Sequence, residues 1–193
     1  MDNETEKMIQ KILETARGLF VAKGYEGISM REIAAACGLS KAGLYYHFTD
    51  KQDLFLAILD DQLNDLEAAL VEIESKGGSA RSKIRAFLTN IFSQTANQTG
   101  VIRLASQEMG KVDPAARADF NQRYQEKFLN HLAAIWTEGM ADGEIRSVDA
   151  QLSVWALLGL MYPYLNRHFN NSLEAERMID FIESVLFDGI ASK

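Results

Sequence analysis

Cysteine and proline are scarce in this chain of 193 residues, which holds one of the first, Cys37, and two of the second. A single cysteine excludes an internal disulfide and any multi-cysteine metal site. Cys37 falls on the apolar face of a helix-spaced segment and reads as a small core residue. So little proline argues for helices and against a loop-rich or all-β fold. Long apolar runs are missing as well: the longest, Val154 to Tyr164, is well short of the roughly 18 residues a membrane-spanning helix needs. The opening Met-Asp-Asn-Glu-Thr-Glu-Lys is not a secretory leader, so a soluble, cytoplasmic protein is expected. His47, His131 and His168 are scattered, with no nucleophile signature, Gly-rich phosphate loop or His-Glu-x-x-His. No enzyme, metal or other cofactor is therefore expected. The alternative, a metal held by His131, His168 and Glu108, would need the fold to assemble them.

The net charge of −7 is unevenly spread. Residues 1–52 carry seven Lys/Arg against seven Asp/Glu, whereas the remainder carries 13 against 20. An acidic body repels DNA everywhere except at the neutral N-terminal face, which is compatible with a nucleic-acid reader at that end.

That end holds the most informative stretch. Apolar residues Ile9, Ile12, Leu13, Ala16, Leu19 and Phe20 predict a helix over about 5–23, with Gly24 at its C-terminal cap. Ser29-Met30-Arg31-Glu32 has the form of a capping box and starts a second helix, which Gly38 ends. Ser40 then caps a short helix over 41–47, and Thr49-Asp50-Lys51-Gln52 offers a further capping box. Two short helices joined by a tight turn, the second exposing Lys, Tyr and His, suit the DNA major groove.

Beyond the reader the chain continues as helices. One runs from Lys51 to before Gly77-Gly78 and is long enough to belong both to the reader and to the body. Ser79 opens the next, Gly100 is expected to interrupt the chain before a short segment 101–111, and Asp113-Pro114 starts a helix ending at Asp142-Gly143. Helices over about 148–169 and 172–190 complete an all-α fold of about nine helices. The domains expected are 1–52, a helix-turn-helix DNA-binding domain, and 53–193, a helical effector-binding and dimerisation domain.

From Leu152 to Leu165 the penultimate helix is apolar on almost every side, and the last has a wide apolar stripe. An apolar circumference implies burial on two sides. The expectation is a homodimer joined as a four-helix bundle through Trp155, Leu158, Gly159, Tyr162, Met178, Phe181, Ile182, Val185 and Leu186. The alternative is a central core helix in a monomer.

Ala16-Arg17-Gly18-Leu19-Phe20, Gly24-Tyr25, Ser29, Ile33-Ala34, Gly38-Leu39-Ser40, Leu44-Tyr45-Tyr46-His47-Phe48, Lys51 and Leu54 together resemble the TetR/AcrR family of bacterial transcriptional regulators. Departures are mild: Ser29 replaces threonine, Cys37 alanine, and Ala42 a frequent glycine. The resemblance implies a homodimer that occupies a palindromic operator, represses transcription and is released by a small molecule. Under it Ser29 holds a phosphate, Arg31 reaches a base or phosphate, and Ser40, Lys41, Ala42 and Gly43 face the groove. Tyr45 and His47 grip phosphates, with Tyr46 beside them, and Lys51 anchors the backbone.

Phosphate donors position a protein, whereas base reading needs bidentate Arg, Asn or Gln, or a methyl contact to thymine. The third helix has no Arg, Asn or Gln, so part of the sequence preference is expected from DNA shape.

The effector in the family sits within the helical body. The candidates here are Phe87, Ile91, Phe92, Leu104, Phe120, Tyr124, Phe128, Trp155 and Tyr162, with Arg103, Gln107, Glu108 and His131 as polar points. Such a lining suits a small lipophilic or amphipathic molecule, an acyl chain or its thioester among them. The competing readings are a ligand-independent repressor or activator, and a helical enzyme or interaction module with a vestigial reader.

Overall fold

The computed structural model describes residues 3–165 and 172–189. Ten α-helices occupy them: α1 (Asn3–Lys23), α2 (Met30–Cys37), α3 (Lys41–His47), α4 (Lys51–Ser75), α5 (Ala80–Ser93), α6 (Ala96–Glu108), α7 (Pro114–Tyr124), α8 (Asn130–Ala141), α9 (Ala150–Met161) and α10 (Ser172–Phe187). A π-helical turn, Gln125–Leu129, joins α7 to α8 without a break. The described residues therefore make nine continuous helical rods and no strand.

Local chemistry sets the short helices. At α2 the Ser29 hydroxyl accepts from Glu32 N while Glu32 Oε2 accepts from Ser29 N at 2.9 Å, a complete capping box. Gly38 closes α2 at φ 72°, a left-handed conformation that side chains resist. Ser40 caps α3 by accepting from Gly43 N at 3.0 Å. The box before α4 sits one residue later than its sequence reading. Asp50 is the cap, accepting from Asp53 N, and the Asp53 carboxylate reaches back to Thr49 N.

Gly100 does not interrupt the chain. It lies inside α6, which starts four residues earlier behind a third box formed by Thr95 and Gln98. A Cβ at Gly100 would stand 2.6 Å from Val21 Cγ1, so the glycine serves close approach of α6 to α1. In the penultimate helix Asp149 caps α9, and a 3₁₀ turn, Tyr162–Tyr164, follows at Pro163. The expected extension of that helix to Phe169, together with His168 and Ile190, lies outside the described residues.

Two compact units emerge from the backbone contacts: residues up to Gln62 with Gly100–Phe120, and Leu63–Thr99 with the residues from Asn121 onward. In the first, α1 packs on α2 and α2 on α3, around Ile12, Ala16, Phe20, Ile33 and Leu44. Phe20, Tyr25 and Phe55 form an aromatic cluster with centroids 5.1–5.9 Å apart, and Arg17 is paired with Asp61. Cys37 is buried in this core, which pushes its thiol pKa up. In the second, α5 packs on α8 and α10, and α9 on α8 and α10. Arg85 binds Glu176, Asp180 and Glu183 at 2.7–2.8 Å, tying α5 to α10.

Candidate nucleic-acid interface

Helix α3 is only seven residues long and buries just Leu44; Phe48, its C-terminal cap, is buried behind it. Two anchors in the core leave the other side chains on the surface. Ser29, Arg31, Ser40, Lys41, Ala42, Tyr45 and Tyr46 are exposed, and Gly43, His47 and Lys51 are half-buried. Tyr46 is 83% exposed and Tyr45 41%. Lys41 Nζ lies 5.5 Å from the Tyr45 ring, and Tyr46 meets His47 edge-on at 5.1 Å. The structure thus gathers cation, phenol and imidazole along one short helix, beside a second whose capped start presents Ser29 and Arg31.

Lys51 is differently held. Its ammonium lies 4.4 Å from the Tyr25 ring, donates to Ile28 O at 3.4 Å and faces Glu26 at 3.7 Å. Tyr25 as the platform for Lys51 was not read from the sequence, where Gly-Tyr after a helix carries no such signal. Glu32 is engaged by Ser29 and by Lys23 at 3.4 Å; these hydrogen bonds, the Ser29 hydroxyl first, hold its carboxyl below the usual carboxylate range.

The effector candidates fall in both compact units. Phe87 meets Phe128 at 5.8 Å, and Tyr124 meets Phe128 at 5.2 Å. Tyr124 also shares a hydrogen bond with Tyr162, and burial first, then this neighbour, pushes its hydroxyl far above the ordinary value. Ile91 is buried beside them in α5, and Phe92 is half-buried. Leu104 and Phe120 are buried in the other compact unit, where Arg103 is half-buried and Gln107 exposed. Glu108 lies 2.6 Å from Lys111, and His131 Nδ1 lies 2.9 Å from Glu74 Oε1. Trp155 is exposed on the outside of α9. Among the described residues no group of three potential metal ligands exists, and no helix is long and apolar enough to cross a membrane.

Of the candidate dimer residues, Leu158 and Ile182 are buried in the chain's own core. Trp155 and Phe181, each 53% exposed, stand outside with Gly159, while Tyr162, Met178, Val185 and Leu186 are half-buried. Leu152 and Leu173 extend the same kind of surface. Helices α9 and α10 are therefore apolar on a buried side and on an exposed side.

A capped helix-turn-helix with its donors outward, carried by an all-helical body, defines the class of helix-turn-helix regulators. Residues 12–58 match the profile of bacterial regulatory proteins of the tetR family, and residues 77–164 that of the tetracyclin repressor-like C-terminal domain. The chain belongs to the TetR/AcrR family. It is 33% identical over 105 residues to the uncharacterized HTH-type transcriptional regulator YuxN of Bacillus subtilis (strain 168), a match covering 54% of this chain and 35% of that one. It is 23% identical over 190 residues to the HTH-type transcriptional repressor KstR2 of Rhodococcus jostii (strain RHA1), covering 94% and 90%. The crystal structure of AibR in complex with isovaleryl coenzyme A and operator DNA superposes with a TM-score of 0.77 and 29% identity, covering 93% of this chain and 98% of that one.

Proposed function

We propose that this chain is a cytoplasmic, non-enzymatic repressor that binds a palindromic operator as a homodimer and releases it when an acyl thioester of coenzyme A binds. The exposed Lys41-Tyr45-Tyr46 face of α3 carries the proposal: a seven-residue helix capped at both ends but buried only through Leu44 and its cap residue Phe48 has no packing reason to display those side chains. Residues 1–52 serve as the DNA-binding part and 53–193 as the effector-binding and dimerisation part. Ser29, Ser40, Tyr45, Tyr46 and His47 position the backbone, Lys51 anchors it, and Arg31, Lys41, Ala42 and Gly43 meet the groove. The dimer face consists of Trp155, Gly159, Tyr162, Met178, Phe181, Val185 and Leu186, without the two residues that the core already covers.

The acyl-coenzyme A class is supported by the ligand of AibR and by the apolar Phe87-Phe128-Tyr124 cluster. Helix α4, which starts four residues after α3 ends, acts as the lever. Two half-sites lie of order 34 Å apart or a multiple of it, so a few ångströms of change in reader spacing breaks simultaneous engagement. The effector acts only through tighter binding to the DNA-incompetent state.

Fluorescence anisotropy tests the proposal, with a duplex selected from random sequence and a scrambled duplex at two salt concentrations. Palindrome-dependent binding that weakens with salt, is lost in Tyr45→Ala and is reversed by isovaleryl coenzyme A is expected. Equal weak binding to both duplexes overturns the operator reading, and operator binding indifferent to the thioester overturns the effector reading.

A further inference from the structure

Gln62, in α4, is the one polar or charged residue fully buried among the described residues, at 3% exposure. Both ends of its carboxamide, Nε2 and Oε1, lack a hydrogen-bond partner. Its neighbours along the buried side of the helix, Ile58, Leu59 and Leu66, are all apolar. A carboxamide brings two donors and an acceptor, and burying all of them unpaired costs their full desolvation. Leucine or methionine at this position would avoid that cost, so packing does not account for the glutamine.

Most other buried polar atoms without partners belong to side chains that are otherwise engaged. The Arg17 guanidinium is paired with Asp61, Glu108 lies beside Lys111, and the Trp136 ring stacks on Phe187 at 5.4 Å. At Gln94 the oxygen alone is concerned. The Trp136 indole N–H is a lone donor, so only Gln62, among the described residues, leaves both a donor and an acceptor of one side chain buried without a partner.

We infer that Gln62 recognises the effector through the amides of the ligand. Gln62 Nε2 donates to the carbonyl of one ligand amide and Gln62 Oε1 accepts from the N–H of another, since the two groups of a single trans amide point apart. The inference rests on the acyl-coenzyme A reading above and sharpens it. The pantetheine arm of a coenzyme A thioester carries two secondary amides, each offering one acceptor and one donor, so the arm can present a carbonyl from one and an N–H from the other. A free carboxylate offers acceptors alone and leaves Oε1 unpaired, so the same residue selects thioester over acid. The position also matters, because Gln62 stands eleven residues into the helix that begins at Lys51, about 16 Å along its axis. A ligand held there addresses the proposed lever directly.

Isothermal titration of the full chain with isovaleryl coenzyme A and with isovalerate, on wild type, Gln62→Met and Gln62→Leu, tests this, with thermal unfolding of each protein alone. Wild type is expected to bind the thioester and to bind isovalerate at least tenfold more weakly. Both variants should unfold at or above the wild-type temperature and bind the thioester at least tenfold more weakly. Unchanged thioester affinity in the variants, or isovalerate bound as tightly as the thioester, overturns the role of Gln62 while leaving the effector class standing. Variants that unfold at a clearly lower temperature show the amide to be structural and overturn it too. A wild type that ignores isovaleryl coenzyme A overturns the effector class and this inference with it.

Discussion

The α2–α3 reader and the α9–α10 pair are both unfinished surfaces, and they are unfinished in opposite ways. The reader leaves outside what water already satisfies: hydroxyls, an ammonium, a guanidinium and phenols on helices of eight and seven residues. The α9–α10 pair leaves outside what water does not satisfy, Leu152, Trp155, Leu173 and Phe181. Polar display tolerates being uncovered until a phosphate arrives, whereas an apolar face of that kind calls for permanent cover. One surface suits a reversible partner and the other a constitutive one. Their helices also differ in what holds them. Helices as short as α2 and α3 are marginal in isolation and depend on caps and on a few core contacts. Helices α9 and α10 are longer and owe their place to burial of Val154, Leu157, Leu158, Ile179 and Ile182.

Four tests sharpen that contrast. The largest effect is expected from Trp155→Glu combined with Phe181→Glu. Carboxylates in an apolar interface lose several kcal/mol, about three orders of magnitude or more in dimer affinity. Sedimentation should find a helical monomer with little operator binding, and an unchanged dimer would place the interface elsewhere. Lys41→Ala should cost about 1–3 kcal/mol of operator binding and relax preference at one base position, as loss of a groove contact does. A uniform loss across related sequences, with the salt slope lowered by about one, would make Lys41 a phosphate contact instead.

Gly100→Ala forces a Cβ to within 2.6 Å of Val21 Cγ1, and overpacking of this kind costs about 1–3 kcal/mol. Chemical denaturation should show the loss and its recovery in the Gly100→Ala, Val21→Ala double variant; additive losses would separate the two residues. The smallest effect is expected at Glu32. Its carboxyl is held below the ordinary range, so the capping box stabilises α2 above the unfolded-state carboxylate pKa and loses that effect as pH falls through the lower folded-state value. Glu32→Gln should therefore melt below wild type at neutral pH and converge with it in acid, and a pH-independent gap would assign the loss to packing.

The two surfaces are also unequally legible in the sequence. Ser29-x-x-Glu32, Gly38 and Ser40 each act within four residues, so α2 and α3 were placed to the residue. Even there locality has a limit: Thr49 and Asp50 are both good cap residues, and Asp50 takes the role while Gln52, expected to close the box, bonds Asp113 N, 61 positions away. Gly100 was read as a breaker because its partner, Val21, is remote in sequence. Apolar periodicity identified α9 and α10 as doubly apolar, yet left open which side faced the chain's own core, and Leu158 and Ile182 turned inward. Gln62 passed unnoticed, since a glutamine in a helix usually lies in water and only burial makes it unusual.

Helix starts and stops, the all-helical class and the presence of a DNA reader follow from the sequence by itself, because capping, glycine geometry and 3.6-residue periodicity are interactions between near neighbours. Tertiary structure decided the rest. Which tyrosines stay exposed, which glycine admits a neighbouring helix, which apolar face remains uncovered and which amide is stranded without a partner all depend on segments far apart in the chain. Burial and pairing are properties of the packed whole, and no local pattern carries them.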